Sequence, residues 1–128
     1  MLSRSQVIDE HGYPIPEKLI SFQLNLLFVC SRNQWRSPTA ERIFRSGGHQ
    51  TRSAGTSESA VTRINGGLIR WADLIFVMEK EHKRRMLEKF GQELADKTII
   101  ILDIPDEYGL MDQELILTLK DSVGPYIQ

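Results

Sequence analysis

The chain has 128 residues, with 16 Lys and Arg against 17 Asp and Glu, 41% hydrophobic residues and a single cysteine, Cys30. That length fits one compact domain, and a net charge of -1 removes the bulk electrostatic argument for nucleic-acid or anionic-membrane partners. One cysteine leaves no intrachain disulfide, no CxxC redox pair and no multi-cysteine zinc or iron–sulfur site.

Residues 1–21 are polar and are broken by Gly12-Tyr13-Pro14-Ile15-Pro16, which forbids a continuous helix. They read as an N-terminal extension to a domain over 22–128. The start lacks the apolar core of a signal peptide. No stretch approaches the roughly 20 apolar residues of a membrane span, so a cytoplasmic, reducing location is expected.

From residue 22 the chain turns apolar. Phe22-Gln23-Leu24-Asn25-Leu26-Leu27-Phe28-Val29 carries the dense run of a strand buried on both faces. After Cys30 and a polar loop, Ser37-Pro38-Thr39-Ala40-Glu41 opens a helix, with proline in the first turn, and Gly47-Gly48 closes it. Residues 50–53 suggest a short second strand, and a helix is expected over about 58–71, weakened by Gly66-Gly67.

Residues 73–78 read as the next buried strand, with Phe76 in the core. In 79–95, Met86, Leu87, Phe90 and Leu94 recur at helical spacing among charged residues, which predicts an amphipathic surface helix. The charges of 79–85 read as its solvated face. Residues 98–102 form a last strand, 103–111 a loop, and Asp112 caps a final helix carrying Leu115, Ile116 and Leu119. Strands alternating with helices imply a three-layer αβα domain with a four-stranded parallel sheet in flavodoxin-like order 2-1-3-4. Its ligand belongs at the carboxyl ends of the strands, beside the switch point at the first strand.

Cys30 stands at that point, followed by Ser31-Arg32-Asn33-Gln34-Trp35-Arg36-Ser37-Pro38. A cysteine, five residues, then arginine and a hydroxyl residue at a helix start describes a phosphate-binding nucleophile loop. In such a loop backbone N–H groups curl around a dianion, the helix N-terminus adds positive potential, and the arginine fork takes two oxygens. The same field favours the thiolate. Ser37 can donate to that sulfur and ease its departure. Asn33 suits a left-handed backbone position and can brace the loop. The plainer reading is a small buried cysteine ending a strand. His11, His49 and His82 are too dispersed for a metal site.

These residues resemble the low-molecular-weight protein tyrosine phosphatases. The likeness rests on Leu27-Phe28-Val29-Cys30, Asn33, Arg36-Ser37-Pro38-Thr39-Ala40-Glu41, Ser53-Ala54-Gly55-Thr56, 72–78 and Pro105-Asp106-Glu107-Tyr108-Gly109. It spans about 24–120 and is most specific in the loop, Ser31 to Ser37. The resemblance implies attack of Cys30 on phosphorus, an aspartic acid that protonates a leaving phenol, hydrolysis of a phosphocysteine by water, and no metal or organic cofactor. The implied partner is a phosphotyrosine protein or a small aryl phosphate.

Asp103 matches the family's acid by strand position and Asp106 by its neighbours; strand position gives Asp103 a slight preference. The last strand lies roughly 10 Å from the first, so a loop must reach across. Tyr108 is the candidate to flank a phosphoaryl ring. Three departures stand out. Arg32 occupies a usual glycine, altering the loop or pointing outward to recruit an acidic substrate. Trp35 occupies a frequent second cysteine, so an oxidised Cys30 lacks a resolving thiol in its own chain. The segment 56–71 is short, which abbreviates a substrate-flanking wall. Two other readings use the same scaffold: a non-catalytic phosphate-binding domain, and an arsenate reductase dependent on an external thiol.

Overall fold

The computed structural model describes residues 10–13 and 24–127. The expected extension over 1–21 therefore lies outside the described residues, apart from 10–13. The elements follow as β1 Asn25–Cys30, α1 Arg36–Arg45, β2 Gln50–Gly55, α2 Gly66–Trp71, β3 Leu74–Val77, α3 Lys80–Phe90, β4 Thr98–Ile101 and α4 Gln113–Ile127. The sheet has the order β2-β1-β3-β4, and all three pairings are parallel. This is the expected flavodoxin-like arrangement. No described helix is long and apolar enough to cross a membrane.

Alternation along the strands builds two cores. Leu26, Phe28 and Cys30 of β1 join Phe76, Ile100 and Ile104 and pack against Ala40 and Phe44 of α1 and Leu115, Leu119 and Val123 of α4. Leu27 and Val29 point the other way and meet Ile75, Val77, Ile69 of α2, Met86 of α3 and Leu94. Residues two apart share a face of a strand, so β1, buried on both sides from Leu26 onward, needs apolar residues at each of those positions. Phe28 is the hinge of the first core. Its ring stacks on Phe44 at 5.5 Å and on Phe76 at 5.3 Å.

Two expected elements are shorter than their readings: the helix expected over 79–95 ends at Phe90, with turns over 91–96, and the second is shortened more. The helix expected over 58–71 is confined to α2, where the Asn65 side chain caps the N-terminus by accepting from the Leu68 N–H at 2.9 Å. Residues upstream of Asn65 spend their backbone groups elsewhere. The N–H groups of Thr56, Ser57 and Val61 donate to the carbonyls of Cys30, Ser31 and Arg32, and Gly55 exchanges bonds with Thr62 and Ile64. A helix over 58–64 would forfeit that pairing. At the other end, Asp112 caps α4 as expected, its carboxylate accepting from the N–H groups of Glu114 and Leu115.

Because Phe28 joins both neighbouring aromatic rings and is fully buried, Phe28→Ala should cost about 3–5 kcal/mol. Urea denaturation monitored by circular dichroism reads that loss as a lowered midpoint at constant slope.

Candidate active site

The site is assembled at the carboxyl ends of β1, β3 and β4. A tight depression of about 20 Å³ is lined by Cys30, Ser31, Arg32, Gln34, Trp35, Arg36 and Asp106. The loop that forms it is shaped by two residues. Asn33 has φ +56°, a left-handed conformation that asparagine tolerates better than most residues. Gly55 of β2 presses against the loop from outside: a Cβ there would lie 2.4 Å from the Ser31 carbonyl and 3.0 Å from the Asn33 nitrogen. Since the carbonyls of Ser31 and Arg32 face the segment after β2, the loop turns its N–H groups toward the depression. No side chain caps the N-terminus of α1, so its first N–H groups also remain available to an anion.

Behind the loop, the bond directions around Cys30 follow from one amide. The Asn33 carbonyl oxygen accepts from the Thr62 N–H at 3.2 Å, which leaves its NH2 to donate to Ser37 Oγ at 2.9 Å. Ser37 Oγ lies 3.0 Å from Cys30 Sγ. With one lone pair occupied by Asn33, the Ser37 hydroxyl proton has two acceptors in reach, the sulfur and, at 3.4 Å, the Ala54 carbonyl. Asn33 and Ser37 are both buried and do not line the depression. Their side chains brace the loop from behind.

Arg36 is 2% exposed, and a buried guanidinium needs anionic or carbonyl partners. Its NH1 donates to Glu79 Oε1 and, at 2.8 Å, to the Ile104 carbonyl. Its Nε lies 3.8 Å from Asp106 Oδ1. One nitrogen thus anchors the side chain, while the Nε edge faces the depression.

Of the two candidate acids, Asp106 lines the depression and Asp103 does not. Past β4 the chain keeps pairing beside β3 through Leu102 N–H to the Val77 carbonyl and Ile104 N–H to the Met78 carbonyl. Between them Asp103 adopts φ +57° and is solvent-exposed. Ile104 then plugs the core, and Asp106 follows above the loop. Tyr108 packs against the first core instead of lining the depression; burial, then the carboxylates of Glu114, Glu107 and Asp112, raise its phenol. The aromatic side chain at the site is Trp35.

Two contributors lie in the stretch read from sequence as a solvated face. Glu79 is the Arg36 partner. His82, 2% exposed, accepts the Glu79 N–H on Nδ1 at 2.9 Å and meets Ser31 Oγ through Nε2 at 2.9 Å. With Nδ1 an acceptor, the neutral ring carries its proton on Nε2 and donates to Ser31. That leaves the Ser31 hydroxyl proton free to turn to the depression. Burial, then the Arg36 cation, push His82 down to about 4, against the opposing pull of Glu79 and Glu81. The available signal was position: both residues follow a buried strand at the same end of the sheet as Cys30. No group of three or more His, Cys, Asp or Glu suited to a metal occurs among the described residues.

No protein-family model matches the chain, and no curated protein matches it. Solved structures do. An arginine phosphatase, YwlE, from Geobacillus stearothermophilus shares 22% identity, covering 81% of this chain and 88% of its own, with a TM-score of 0.60. The tyrosine phosphatase Wzb from Escherichia coli K30, solved with phosphate, shares 20% identity over 83% and 97% of the two chains, at 0.64. The tyrosine phosphatase AmsI from Erwinia amylovora shares 18% over 84% and 93%, at 0.67. The chain has the fold of these proteins.

A histidine held neutral in the fold binds fewer protons than the unfolded chain as pH falls below 6.5, so its contribution to stability is complete above 6.5 and is lost toward pH 4. Unfolding free energies of the native protein and His82→Gln, obtained by urea titration from pH 7 to 4, should therefore converge by about 3 kcal/mol. A constant difference across that range would contradict a neutral, buried His82.

Proposed function

We propose that the protein is a cysteine-dependent phosphomonoester hydrolase, acting on phosphotyrosine in a protein or on a small aryl phosphate, without metal or organic cofactor. The convergence of Cys30, the unanchored edge of Arg36 and Asp106 on one depression carries this reading. The fold shared with tyrosine and arginine phosphatases supports the same class of chemistry.

In the first step the phosphoryl oxygens take the loop N–H groups and the Nε edge of Arg36, displacing Asp106 from that edge. Cys30 thiolate attacks phosphorus; the S–P bond forms as the bond to the aryl oxygen breaks. Asp106 in its protonated form gives its proton to the leaving oxygen. In the second step Asp106 carboxylate takes a proton from water, water oxygen attacks phosphorus, and the S–P bond breaks to release inorganic phosphate. Ser37 stabilises the departing thiolate through its hydroxyl, and Asn33 keeps that hydroxyl aimed.

Asp106 is preferred here to Asp103 because only Asp106 borders the depression. Glu79 and His82 are positioning residues: one holds Arg36 and the other Ser31.

Turnover of an aryl phosphate should fall at least about 10³-fold in Cys30→Ser. Asp106→Asn should cost about 10²- to 10⁴-fold in kcat and abolish the alkaline limb of the pH profile, whereas Asp103→Asn stays within about twofold of the native rate. Undiminished hydrolysis by Cys30→Ser contradicts the mechanism, and a larger loss from Asp103→Asn reverses the acid assignment. Phosphotyrosyl and phosphoarginyl peptides run side by side read which leaving group the site takes. Protection of Cys30 from alkylation by phosphate, with no turnover of any of these, would leave a phosphate-binding domain.

A further inference from the structure

Beside the small depression lies a much larger cleft of about 710 Å³, bordered by Gln34, Trp35, Arg42, Arg52, Val61 and Leu110 among others. Gln34 and Trp35 line both, so the two adjoin at the outer rim of the loop after Cys30. At about 20 Å³ the depression can take no more than the tip of a substrate. The rest of a larger substrate must lie along the surface, and the cleft is the adjoining concavity.

The chemistry of the cleft is mixed but signed. Its apolar lining is unusually exposed: Trp35 46%, Val61 73% and Leu110 43%. Its one carboxylate, Glu41, already accepts from Arg45 at 2.9 Å and from Ser53 at 2.7 Å. Arg42 makes no ion pair among the described residues, and Arg52 is committed only through its face, stacked 4.4 Å above the Trp71 ring. Arg32, exposed on the rim of the depression, adds a third cation. The unneutralised charge is therefore positive, on a chain whose net charge is -1. The cleft wall is also tied to the loop, through Val61 N–H to the Arg32 carbonyl at 3.1 Å and Thr62 N–H to Asn33, so a ligand there is held in register with Cys30.

We propose that this cleft docks an acidic, apolar peptide segment flanking the phosphorylated residue, and that the substrate is accordingly a phosphoprotein and not a free small aryl phosphate. The inference rests on the hydrolase reading above and adds its substrate class. Carboxylates on the segment pair with Arg42 and Arg52, and an apolar side chain covers Val61 and Leu110.

The test compares three substrates: p-nitrophenyl phosphate, a phosphotyrosyl peptide flanked by Glu and Leu, and one of equal length flanked by Lys and Gly. The native protein should prefer the acidic peptide over the basic one by about tenfold or more in kcat/KM. Arg42→Glu and Val61→Glu, both on exposed positions, should each lower kcat/KM for the acidic peptide about five- to tenfold, mainly through KM, with p-nitrophenyl phosphate turnover unchanged. Equal treatment of the two peptides, or equal losses on peptide and p-nitrophenyl phosphate, overturns the proposal.

Calorimetric binding of the acidic peptide carrying a non-hydrolysable phosphonate reads docking without turnover. If p-nitrophenyl phosphate is not hydrolysed yet this peptide binds in an Arg42-dependent way, the hydrolase reading fails and the cleft assignment stands. If the peptide binds no tighter than benzylphosphonate alone, the cleft assignment fails. Concentration-dependent self-association abolished by Val61→Glu would give the cleft to a second copy of the chain and also overturn it.

Discussion

The site depends on how one buried cation is kept. Arg36 sits at the first position of α1 with almost no solvent, where an unpaired guanidinium would be prohibitively costly. Its partners come from two further strands: Glu79 directly after β3 and the Ile104 carbonyl after β4. The carboxyl ends of β1, β3 and β4 are thus drawn together by a single side chain. Asp106, two residues beyond Ile104, arrives at the loop as a consequence. Burial, and then this same charge, make a protonated His82 unfavourable, so the ring that positions Ser31 stays neutral, with a defined donor and a defined acceptor. Anchoring through NH1 also orients the guanidinium, which leaves its other edge facing the space above Cys30.

The loop after Cys30 obeys a second constraint, from backbone packing. Gly55 lets β2 approach the loop to a distance that no side chain would permit, and Asn33 supplies the left-handed turn and the amide that orders Ser37. Arg32 and Trp35, both solvent-exposed, contribute to the rim without disturbing this internal order. The short segment after β2 hydrogen-bonds along the loop instead of forming a helix, and its Val61 and Thr62 line the cleft beside Trp35. A lone cysteine in this setting has Ser37 as its immediate neighbour and no second thiol in the chain.

Much of this was legible in the sequence, and the gaps have physical causes. The apolar run before Cys30, the alternation of strands with amphipathic helices and the Ser37-Pro38 helix start were enough for the sheet order and for the loop. Asn33 was readable as a brace because its residue type suits the backbone it adopts. Glu79 and His82 were not readable, because their neighbours Lys80, Glu81, Lys83, Arg84 and Arg85 look like an ordinary solvated helix. Only the adjacency of β3 to β1 turns two of those residues inward. Asp103 and Asp106 differ by three positions, and the choice between them turns on the left-handed turn at Asp103, which local sequence does not specify. The helix expected over 58–71 failed for a related reason. Local propensity there competes with long-range backbone bonds to the loop, and those bonds win.

The central claim is that Cys30 becomes the phosphoryl acceptor at the end of β1. The most direct measurement is acid-quench peptide mass spectrometry of Asp106→Asn after brief exposure to an aryl phosphate. Slowed hydrolysis should allow the intermediate to accumulate, giving a mass gain of one phosphoryl group on the peptide containing Cys30 and none in the Cys30→Ser, Asp106→Asn double variant. A phosphoryl group found on a different residue, or turnover that proceeds without any Cys30 adduct, would contradict the account.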